Sequence, residues 1–355
     1  ARSAEDGSAV WTFWAIPGPG EPGHETWPAD SDVWQSGASS FWVTGAYDPD
    51  LNLLYYGVSN PTPFGDPTLR PGDNLYSSST VALDGNTGAV KWYFQYTPNE
   101  QWDYDEIGSQ LLYNAGGEKR LGHFGRNGFY YTLNATNGQF ETATQYVDKV
   151  NWTAGIDPKT GKPVEYDPAL ASGGIQHYAI SAYGGDDAAK EICPNIQGGN
   201  NHWPTSYSER TNLAYGAAIE GCNAGQSLGD KQGGSVVAFD NDGKIVKQVR
   251  TPFAPYGGAL TTAGGLVFSS TVDGEFFAMD DKTLDRLWGI NLGSPIEAPP
   301  ITYSVGGKQY VAIAVGTSGA NVGQPWANYP KLGDDPNAAS LANQQRTWTL
   351  YFFTL

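Results

Sequence analysis

The residues best suited to chemistry in this sequence are carboxylates set among aromatic side chains. Residues 101–106 read Gln-Trp-Asp-Tyr-Asp-Glu and place Asp103 and Asp105 two positions apart. Side chains two positions apart lie on the same face of a strand, so a strand here would point both carboxylates to one side. A carboxylate can accept the proton of a hydroxyl, and oxygen ligands suit a hard cation such as calcium. The alternative is that Asp105 faces solvent or caps a turn.

Other candidate residues lie in similar aromatic, glycine-rich stretches. They are Ser40, Trp42, Asn60, Arg126 and Asn201. The sequence contains no Walker loop, no Rossmann fingerprint, no Cys-x-x-Cys-His haem motif and no nucleophile elbow in a convincing context. Its four histidines lack the spacing of metal ligands, so each is interpreted as a surface or core residue. They are His24, His123, His177 and His202.

The composition favours an all-β fold. Hydrophobic residues make up 39% of the 355 residues and charged residues 16%, whereas Gly (46) and Pro (23) are abundant. So many turn-forming residues leave little room for long helices. The net charge of −17 disfavours nucleic acid and anionic membrane surfaces as partners. No run of apolar residues is long enough to predict a membrane span.

The two cysteines, Cys193 and Cys222, leave the redox compartment open at this point. In a cytosolic protein such residues are most often free thiols. In an exported protein they form a plausible disulfide, with a stabilisation of about 3 kcal/mol for a loop of this size.

A repeated pattern predicts a series of β-hairpins. Residues 81–92 carry an Asp-x-x-Thr-Gly turn followed by a Trp, and residues 277–288 repeat the arrangement. Weaker copies lie at 131–138 and 237–243, and residues 4–11 look like the end of another. Asp bonds the turn amides, Gly supplies positive φ, and the Trp buries its ring while donating its N–H to a neighbouring blade.

Further apolar runs predict the remaining strands. They lie at residues 51–58, 213–218, 265–270 and 309–315. Four short strands per repeat are typical of a propeller blade. The chain therefore has the material for about five blades.

Several motifs resemble one family when they are taken together and in order. They are Asn60-Pro-Thr-Pro, Arg70-Pro-Gly-Asp-Asn, Trp102-Asp-Tyr-Asp, Gly125-Arg-Asn-Gly and the glycine-rich stretch 257–268. These motifs are similar to those of the pyrroloquinoline-quinone (PQQ)-dependent alcohol dehydrogenases, which include methanol and ethanol dehydrogenases of Gram-negative bacteria. The resemblance covers essentially the whole chain and implies an eight-bladed-type β-propeller that oxidises an alcohol with PQQ and a metal ion.

The resemblance also implies a role for each candidate residue. Asp103 corresponds to the general base, and Asn60, Asp103 and Asp105 to the metal ligands. Arg126 corresponds to the residue that bonds the quinone oxygens. The other cofactor-binding positions are Ser40, Trp42 beneath the quinone ring, Asn201 and Tyr256. The resemblance implies a Cys193–Cys222 disulfide and therefore an oxidising compartment, the periplasm.

The identity of the metal depends on Asp105. Members of the family that use calcium usually have a small or uncharged residue two positions after the catalytic Asp, whereas lanthanide members carry a second Asp. The resemblance therefore favours a lanthanide over Ca²⁺, because a trivalent ion gains from one more negative ligand.

The family also has blades that precede the part resembled here, including a vicinal Cys pair and a Glu metal ligand. We therefore expect residues 1–355 to form one partial propeller domain, the C-terminal blades, and a second polypeptide to supply the rest. Electrons would pass to an external cytochrome c or another acceptor.

Two alternatives to an active dehydrogenase remain. One is a non-catalytic propeller scaffold of the outer-membrane assembly type, which shares the Trp-containing repeats but has no reason to keep the candidate site residues. The other is an inactive quinoprotein. The loops 172–187 and 319–339 would line the substrate cavity, and the composition of 321–337 suggests an open rim that admits an alcohol larger than methanol.

Overall fold

The computed structural model describes residues 1–180, 191–224, 227–228, 233–316 and 348–354, and within these ranges the regular elements are strands and four 3₁₀ helices of three or four residues. The strands are β1 Ala46–Asp48, β2 Leu53–Gly57, β3 Ser79–Asp84, β4 Val90–Gln95, β5 Leu111–Ala115, β6 Glu118–Phe124, β7 Phe129–Asn134, β8 Phe140–Gln145, β9 Glu191–Ile192, β10 Ser206–Ser208, β11 Leu213–Ile219, β12 Asn223–Ala224, β13 Ser227–Leu228, β14 Gly234–Phe239, β15 Ile245–Thr251, β16 Leu260–Thr261, β17 Leu266–Ser270, β18 Glu275–Asp280, β19 Arg286–Asn291, β20 Ile301–Val305, β21 Lys308–Val315 and β22 Thr349–Thr354. Short 3₁₀ helices span His24–Thr26, Val33–Ser36, Pro67–Leu69 and Pro168–Leu170. The all-β prediction is confirmed.

The strands form antiparallel sheets of the kind that make propeller blades. Among the described residues, four sheets have four strands each, in the orders β1-β2-β3-β4, β5-β6-β7-β8, β10-β11-β14-β15 and β16-β17-β18-β19, and β20, β21 and β22 form a sheet of three. The short strands β13, β12 and β9 form a separate small sheet. The five larger sheets confirm the β-propeller fold class and match the prediction of about five blades. The four strands predicted from apolar runs correspond to β2, β11, β17 and β21, with ends that differ by at most two residues.

The predicted hairpin turns form through the side chain of their aspartate. Asp84 Oδ1 accepts the amide N–H groups of Asn86 and Thr87, each at 3.0 Å, and Gly88 follows at a φ of 72°. Asp280 Oδ1 makes the equivalent bond to Thr283 at 3.0 Å. The carboxylate satisfies amides that the turn removes from the strand ladder, so the sequence motif fixes where each hairpin reverses.

Tryptophan side chains tie neighbouring elements together, as the repeat pattern predicts. The buried Trp92 on β4 donates its Nε1–H to the carbonyl oxygen of Ala135, beyond β7, at 3.0 Å. Trp11 makes the same bond to Gly85 at 3.1 Å. Trp288 on β19 is 41% exposed and packs its ring against Phe276 and Phe353. The structural role predicted for the repeat Trp is therefore confirmed for Trp92, whereas Trp288 is only partly buried.

Internal contacts divide the chain into two compact units, 1–143 with 150–192 and 144–149 with 193–355. The core of the first unit is aromatic, with Tyr55, Tyr131 and Trp152 all fully buried. That of the second is built on strands such as β14, which is buried along its whole length. The expectation that 1–355 form one domain stays a prediction. No helix among the described residues is long and apolar enough to cross a membrane.

The packing of Trp92 on a turn glycine gives a stability prediction. A Cβ added to Gly138 would lie 2.5 Å from Cε3 of Trp92, whereas one added to Gly116 would meet nothing within 4 Å. Both glycines have positive φ, 73° and 61°, so both substitutions carry the same backbone cost. We expect Gly138→Ala to lower the free energy of unfolding by about 1–3 kcal/mol more than Gly116→Ala, as measured by urea unfolding. Equal losses would show that the Trp92 ring does not fix this turn.

Candidate active site

The predicted site residues of the first unit lie in the connections at one end of its sheets. Asn60 follows β2, Asp103 and Asp105 lie between β4 and β5, and Arg126 lies between β6 and β7. In an antiparallel meander the β2–β3 connection and the exit of β4 are at the same end, opposite the Asp-x-x-Thr-Gly turns. The Asp-x-x-Thr-Gly turns therefore lie at one end of the sheets, and the longer connections that carry the candidate site residues lie at the other.

Arg126 brings both aspartates together. Its Nη1 donates to Asp105 Oδ2 at 2.6 Å and its Nη2 to Asp103 Oδ2 at 3.1 Å. The other Asp105 oxygen, Oδ1, accepts the backbone N–H of Asn60 at 2.7 Å. Asp105 is buried, so the alternative in which it faces solvent is wrong. Four of the predicted residues thus form one hydrogen-bonded network.

The expectation that Asp103 and Asp105 lie on a strand is wrong. Residues 96–110, all of them described by the structure, contain no strand, and Asp103 has a φ of 69°, in the left-handed region. A strand requires negative φ, so the alternation of side chains does not apply here. The two carboxylates reach the same guanidinium because the chain curls at Asp103.

Burial and neighbouring charges shift the ionisation of this network. Burial and the neighbouring Asp105 carboxylate raise the pKa of Asp103 to about 6, although the Arg126 guanidinium opposes both effects. Although burial alone would lower the pKa of Arg126, the charges of Asp103 and Asp105 raise it. The side chain of Asp103 keeps 24% of its surface exposed, so a substrate can reach it. Asp103 is therefore an accessible carboxylate with a pKa close to neutral, as a general base requires.

Ser40 lies directly beside the segment that carries Asn60. Its backbone N–H donates to Ser59 Oγ at 2.7 Å, and its carbonyl oxygen accepts the N–H of Ser59 at 3.1 Å. Ser39 N–H donates in turn to the carbonyl oxygen of Asn60 at 2.9 Å. Trp42, two residues further on, has 47% of its surface exposed. This pairing places Ser40 next to the metal-ligand candidate, and the partly exposed Trp42 lies close by in the chain.

Two buried glutamates on either side of Asp103 were missed in the sequence. Glu106 Oε2 accepts His123 Nε2 at 2.8 Å and the backbone N–H of Arg126 at 3.1 Å. Burial raises the pKa of Glu106, and His123 opposes the shift. His123 is thus a core histidine, one of the two interpretations given to it. The signal for Glu106 was its place beside the Asp pair, but its burial cannot be read from composition.

The second glutamate, Glu100, is fully buried near Arg70, which is also fully buried. Burial raises the pKa of Glu100 to about 7, against the effects of the Tyr104 amide and the Arg70 charge. Together with Asp103, Asp105 and Glu106, it gives this part of the first unit four carboxylates. Asp103 and Asp105 outnumber the single guanidinium of Arg126 that they share, which fits a site that receives a cation.

The remaining predicted residues belong to the second unit. Tyr256, between β15 and β16, is fully buried and stacks on Trp203 with ring centroids 4.2 Å apart and planes within 5°. Asn201 is buried and donates its Nδ2 to Gln197 Oε1 at 3.4 Å. Its Oδ1 has no hydrogen-bond partner among the described residues. That these two residues join the first-unit network stays a prediction.

The predicted disulfide is present. Cys193 and Cys222 are bonded, with an S–S distance of 2.02 Å.

Most of the predicted substrate-cavity loops lie outside the described residues. Residues 181–190 and 317–347, which include all of 321–337, are not described.

Comparison with known proteins agrees with the site. The sequence model of the glucose/ethanol/alcohol dehydrogenase β-propeller domain, a PQQ family, matches residues 1–150 and 222–311. This chain belongs to that family. Membership favours the dehydrogenase interpretation over the scaffold alternative, because the family match includes the segments that carry Asn60, Asp103 and Arg126.

Individual relatives give the extent of the match. The chain is 36% identical to the quinoprotein alcohol dehydrogenase PedH of Pseudomonas putida, over 85% of this chain and 53% of that protein. It is 34% identical to methanol dehydrogenase [cytochrome c] subunit 1 of Methylorubrum extorquens, over 84% of this chain and 51% of that protein. A europium-containing methanol dehydrogenase structure has a TM-score of 0.76 and 30% identity, and the match covers 100% of this chain and 66% of that one. The chain spans about half the length of the curated relatives it matches.

The residues present fit both groups that the family implies. Asp103, Asp105 and Asn60 carry side-chain oxygens that can serve as metal ligands, which suits a hard cation. Arg126 bonds both carboxylates, and the backbone N–H of Asn60 bonds Asp105. The buried Asn201 Oδ1 and the buried Trp203 Nε1, each without a partner among the described residues, are polar atoms that a bound molecule can satisfy. The partly exposed indole of Trp42 is a surface on which a planar ring can stack.

The Glu106–His123 pair gives a second stability prediction. Glu106→Ala removes the acceptor of two buried donors, His123 Nε2 and the Arg126 amide. We expect a loss of about 3–5 kcal/mol in the free energy of unfolding, measured by chemical denaturation. Glu25→Ala is the matched control, because the exposed Glu25 also accepts a backbone amide, that of Gly23 at 2.9 Å. A loss no larger than that of the control would contradict the role of this buried pair.

Proposed function

We propose that the protein oxidises an alcohol to an aldehyde or ketone with PQQ and a metal ion, with Asp103 as general base. The observation that carries the proposal is the network in which Arg126 joins Asp103 and Asp105, and Asp105 joins Asn60, inside a propeller of the PQQ family. The protein must contribute to this reaction a base and a set of oxygen ligands that suit a hard cation. The two-electron acceptor must be a cofactor, since side chains do not provide one.

The role of Asp103 follows from its surroundings. With a pKa of about 6, the carboxylate is mostly ionised at neutral pH and can accept the proton of a substrate hydroxyl at its exposed side. The Arg126 Nη2 at 3.1 Å orients the carboxylate and stabilises its charged form. When bound, the metal and quinone supply Lewis-acid polarisation and hydride acceptance.

The cofactor-binding residues remain proposals of the same kind. Trp42 supports the quinone ring, Ser40 and Asn201 bond it, and Arg126 reaches its oxygens while holding Asp103. The pairing of Ser40 with Ser59 supports this, because it fixes the position of the Trp42 segment relative to Asn60. Tyr256, stacked on Trp203, lies near the quinone.

We propose a lanthanide as the metal, with Ca²⁺ as the alternative. The support is that Asp105 is buried and bonded to the Asn60 segment, so its charge is committed to the site. A trivalent ion gains more than a divalent one from an added carboxylate. The related methanol dehydrogenase structure is described as europium-containing.

The partners and location complete the proposal. Electrons leave to an external acceptor such as cytochrome c, which the name of the Methylorubrum extorquens relative includes. The Cys193–Cys222 disulfide supports an oxidising compartment, the periplasm. We also propose that a second polypeptide supplies further blades. Measuring the molecular mass of the purified protein in solution tests this proposal. A quinone-loaded monomer of this chain alone would contradict it.

Asp103→Asn tests the general base. The amide keeps the size of the side chain but cannot accept the proton, so we expect kcat to fall by about 10²–10⁴-fold in an assay with an artificial acceptor. The near-ultraviolet absorbance of bound quinone should remain. Asp167→Asn is the control, because Asp167 caps a 3₁₀ helix and Asn caps equally well. Turnover above half of the wild-type value with quinone bound would refute Asp103 as the base.

Reconstitution with different metals tests the ligand set. We expect lanthanum or cerium to activate the protein more than calcium, and Asp105→Asn to weaken lanthanide activation at least about tenfold while sparing calcium activation. The side-chain oxygen of this variant can still accept the backbone N–H of Asn60, but its amide nitrogen cannot accept from Arg126 Nη1, so the variant removes the charge and the Arg126 bond together. Retained calcium activation serves as the control for the lost Arg126 bond. Full activity with calcium and no gain from a lanthanide would contradict the lanthanide proposal.

The substrate class is defined by a parallel assay of primary, secondary and polyol alcohols.

A further inference from the structure

Glu100 binds the backbone on both sides of Asp103. Its Oε1 accepts the N–H of Tyr104 at 2.8 Å and also the N–H of Trp102. Asp103 between them has a φ of 69°. One carboxylate oxygen therefore joins the two amides that flank the candidate base.

This arrangement is incompatible with an extended chain. In a strand the amides of residues two apart point the same way but lie about 6.8 Å apart, too far for one oxygen to accept both. The two amides converge on Glu100 only if the residue between them curls. A left-handed conformation is uncommon for a non-glycine residue and persists where the surrounding structure constrains the backbone. The two hydrogen bonds to Glu100 constrain the backbone at Asp103 in this way.

The backbone of Glu100 is held in place by Arg70. The fully buried Arg70 donates its Nη2 to the Glu100 carbonyl oxygen, its Nε to the Pro63 carbonyl oxygen at 2.8 Å and its Nη1 to Asn74 Oδ1 at 2.8 Å. Arg70 lies on the β2–β3 connection, which also carries Asn60. The segment of Asp103 and the segment of Asn60 are therefore fixed to each other through Arg70 and Glu100.

We propose that Glu100 is a positioning residue for Asp103: by holding the Trp102 and Tyr104 amides it sets the curled backbone that turns the Asp103 carboxylate towards Arg126 and the metal donors. The inference rests on the proposed function of Asp103. Glu100 does not touch substrate, and its effect passes through the backbone. The acceptor oxygen carries the role, so an uncharged side chain of the same size should retain it.

The test compares three variants with one control. Glu100→Gln keeps an oxygen at the same distance from the backbone. Glu100→Asp keeps the charge but withdraws the oxygen by one methylene, and Glu100→Ala removes the acceptor. Glu165→Ala is the control, because Glu165 also holds a backbone amide, that of Ala154 at 2.8 Å, in the same unit.

Two readouts besides turnover report on position. Hydrogen exchange follows the amides of residues 100–106 in the full-length protein, and sensitised luminescence of added terbium measures metal affinity. For Glu100→Ala and Glu100→Asp we expect faster exchange in this peptide, terbium affinity lower by about 10–100-fold, and kcat lower by about 100-fold with KM little changed. Glu100→Gln should restore all three values to near wild type, and Glu165→Ala should change none.

Wild-type exchange and terbium affinity in Glu100→Asp or Glu100→Ala would overturn the proposal, as would a Glu100→Gln variant as impaired as Glu100→Asp. If Glu100→Ala does not fold, the comparison of Asp with Gln decides alone. If the wild-type protein oxidises no alcohol with any metal, the proposed function fails, while exchange and terbium binding still decide whether Glu100 positions Asp103.

Discussion

Two carboxylates of like charge can lie side by side in this site because a guanidinium group lies between them. Asp103 and Asp105 would repel each other in a partly buried setting, and Arg126 offsets that repulsion with one hydrogen bond to each. The backbone amide of Asn60 adds a further donor to Asp105. The positions of the proposed base, the proposed metal ligands and the arginine proposed to bind the quinone all depend on this balance of charge, which a bound cation would strengthen.

The β-sheets supply the rigidity that such a balance needs. Carboxylates in the hairpin turns, as at Asp84, satisfy the backbone at one end of the sheets, and Trp92 joins neighbouring sheets of the first unit by a bond to Ala135. The connections at the other end are then free to depart from regular structure. Left-handed residues such as Asn74, Asn99 and Asp103 occur in them, and buried side chains hold them there.

Much of this could be predicted from the sequence. The Asp-x-x-Thr-Gly turns, the repeat Trp and the apolar strands are local signals, so the hairpins and the fold class were predictable. Resemblance to the family identified Asn60, Asp103, Asp105 and Arg126, which the structure joins in one network. The strand expected at Asp103 was wrong because alternation assumes an extended chain, and a side chain three residues away, Glu100, imposes a curl instead. Burial of Glu100 and Glu106 depends on contacts distant in sequence, which a local pattern does not contain.

The most direct test of the site is a crystal structure of the quinone-loaded protein soaked with cerium, with anomalous diffraction recorded to locate the ion. We expect one strong anomalous peak within coordination distance of the side-chain oxygens of Asn60, Asp103 and Asp105, with Arg126 still bonded to Asp103. A peak elsewhere, or Asp105 paired only with Arg126 and no ion beside it, would contradict the assignment of these residues to a metal-dependent alcohol oxidation.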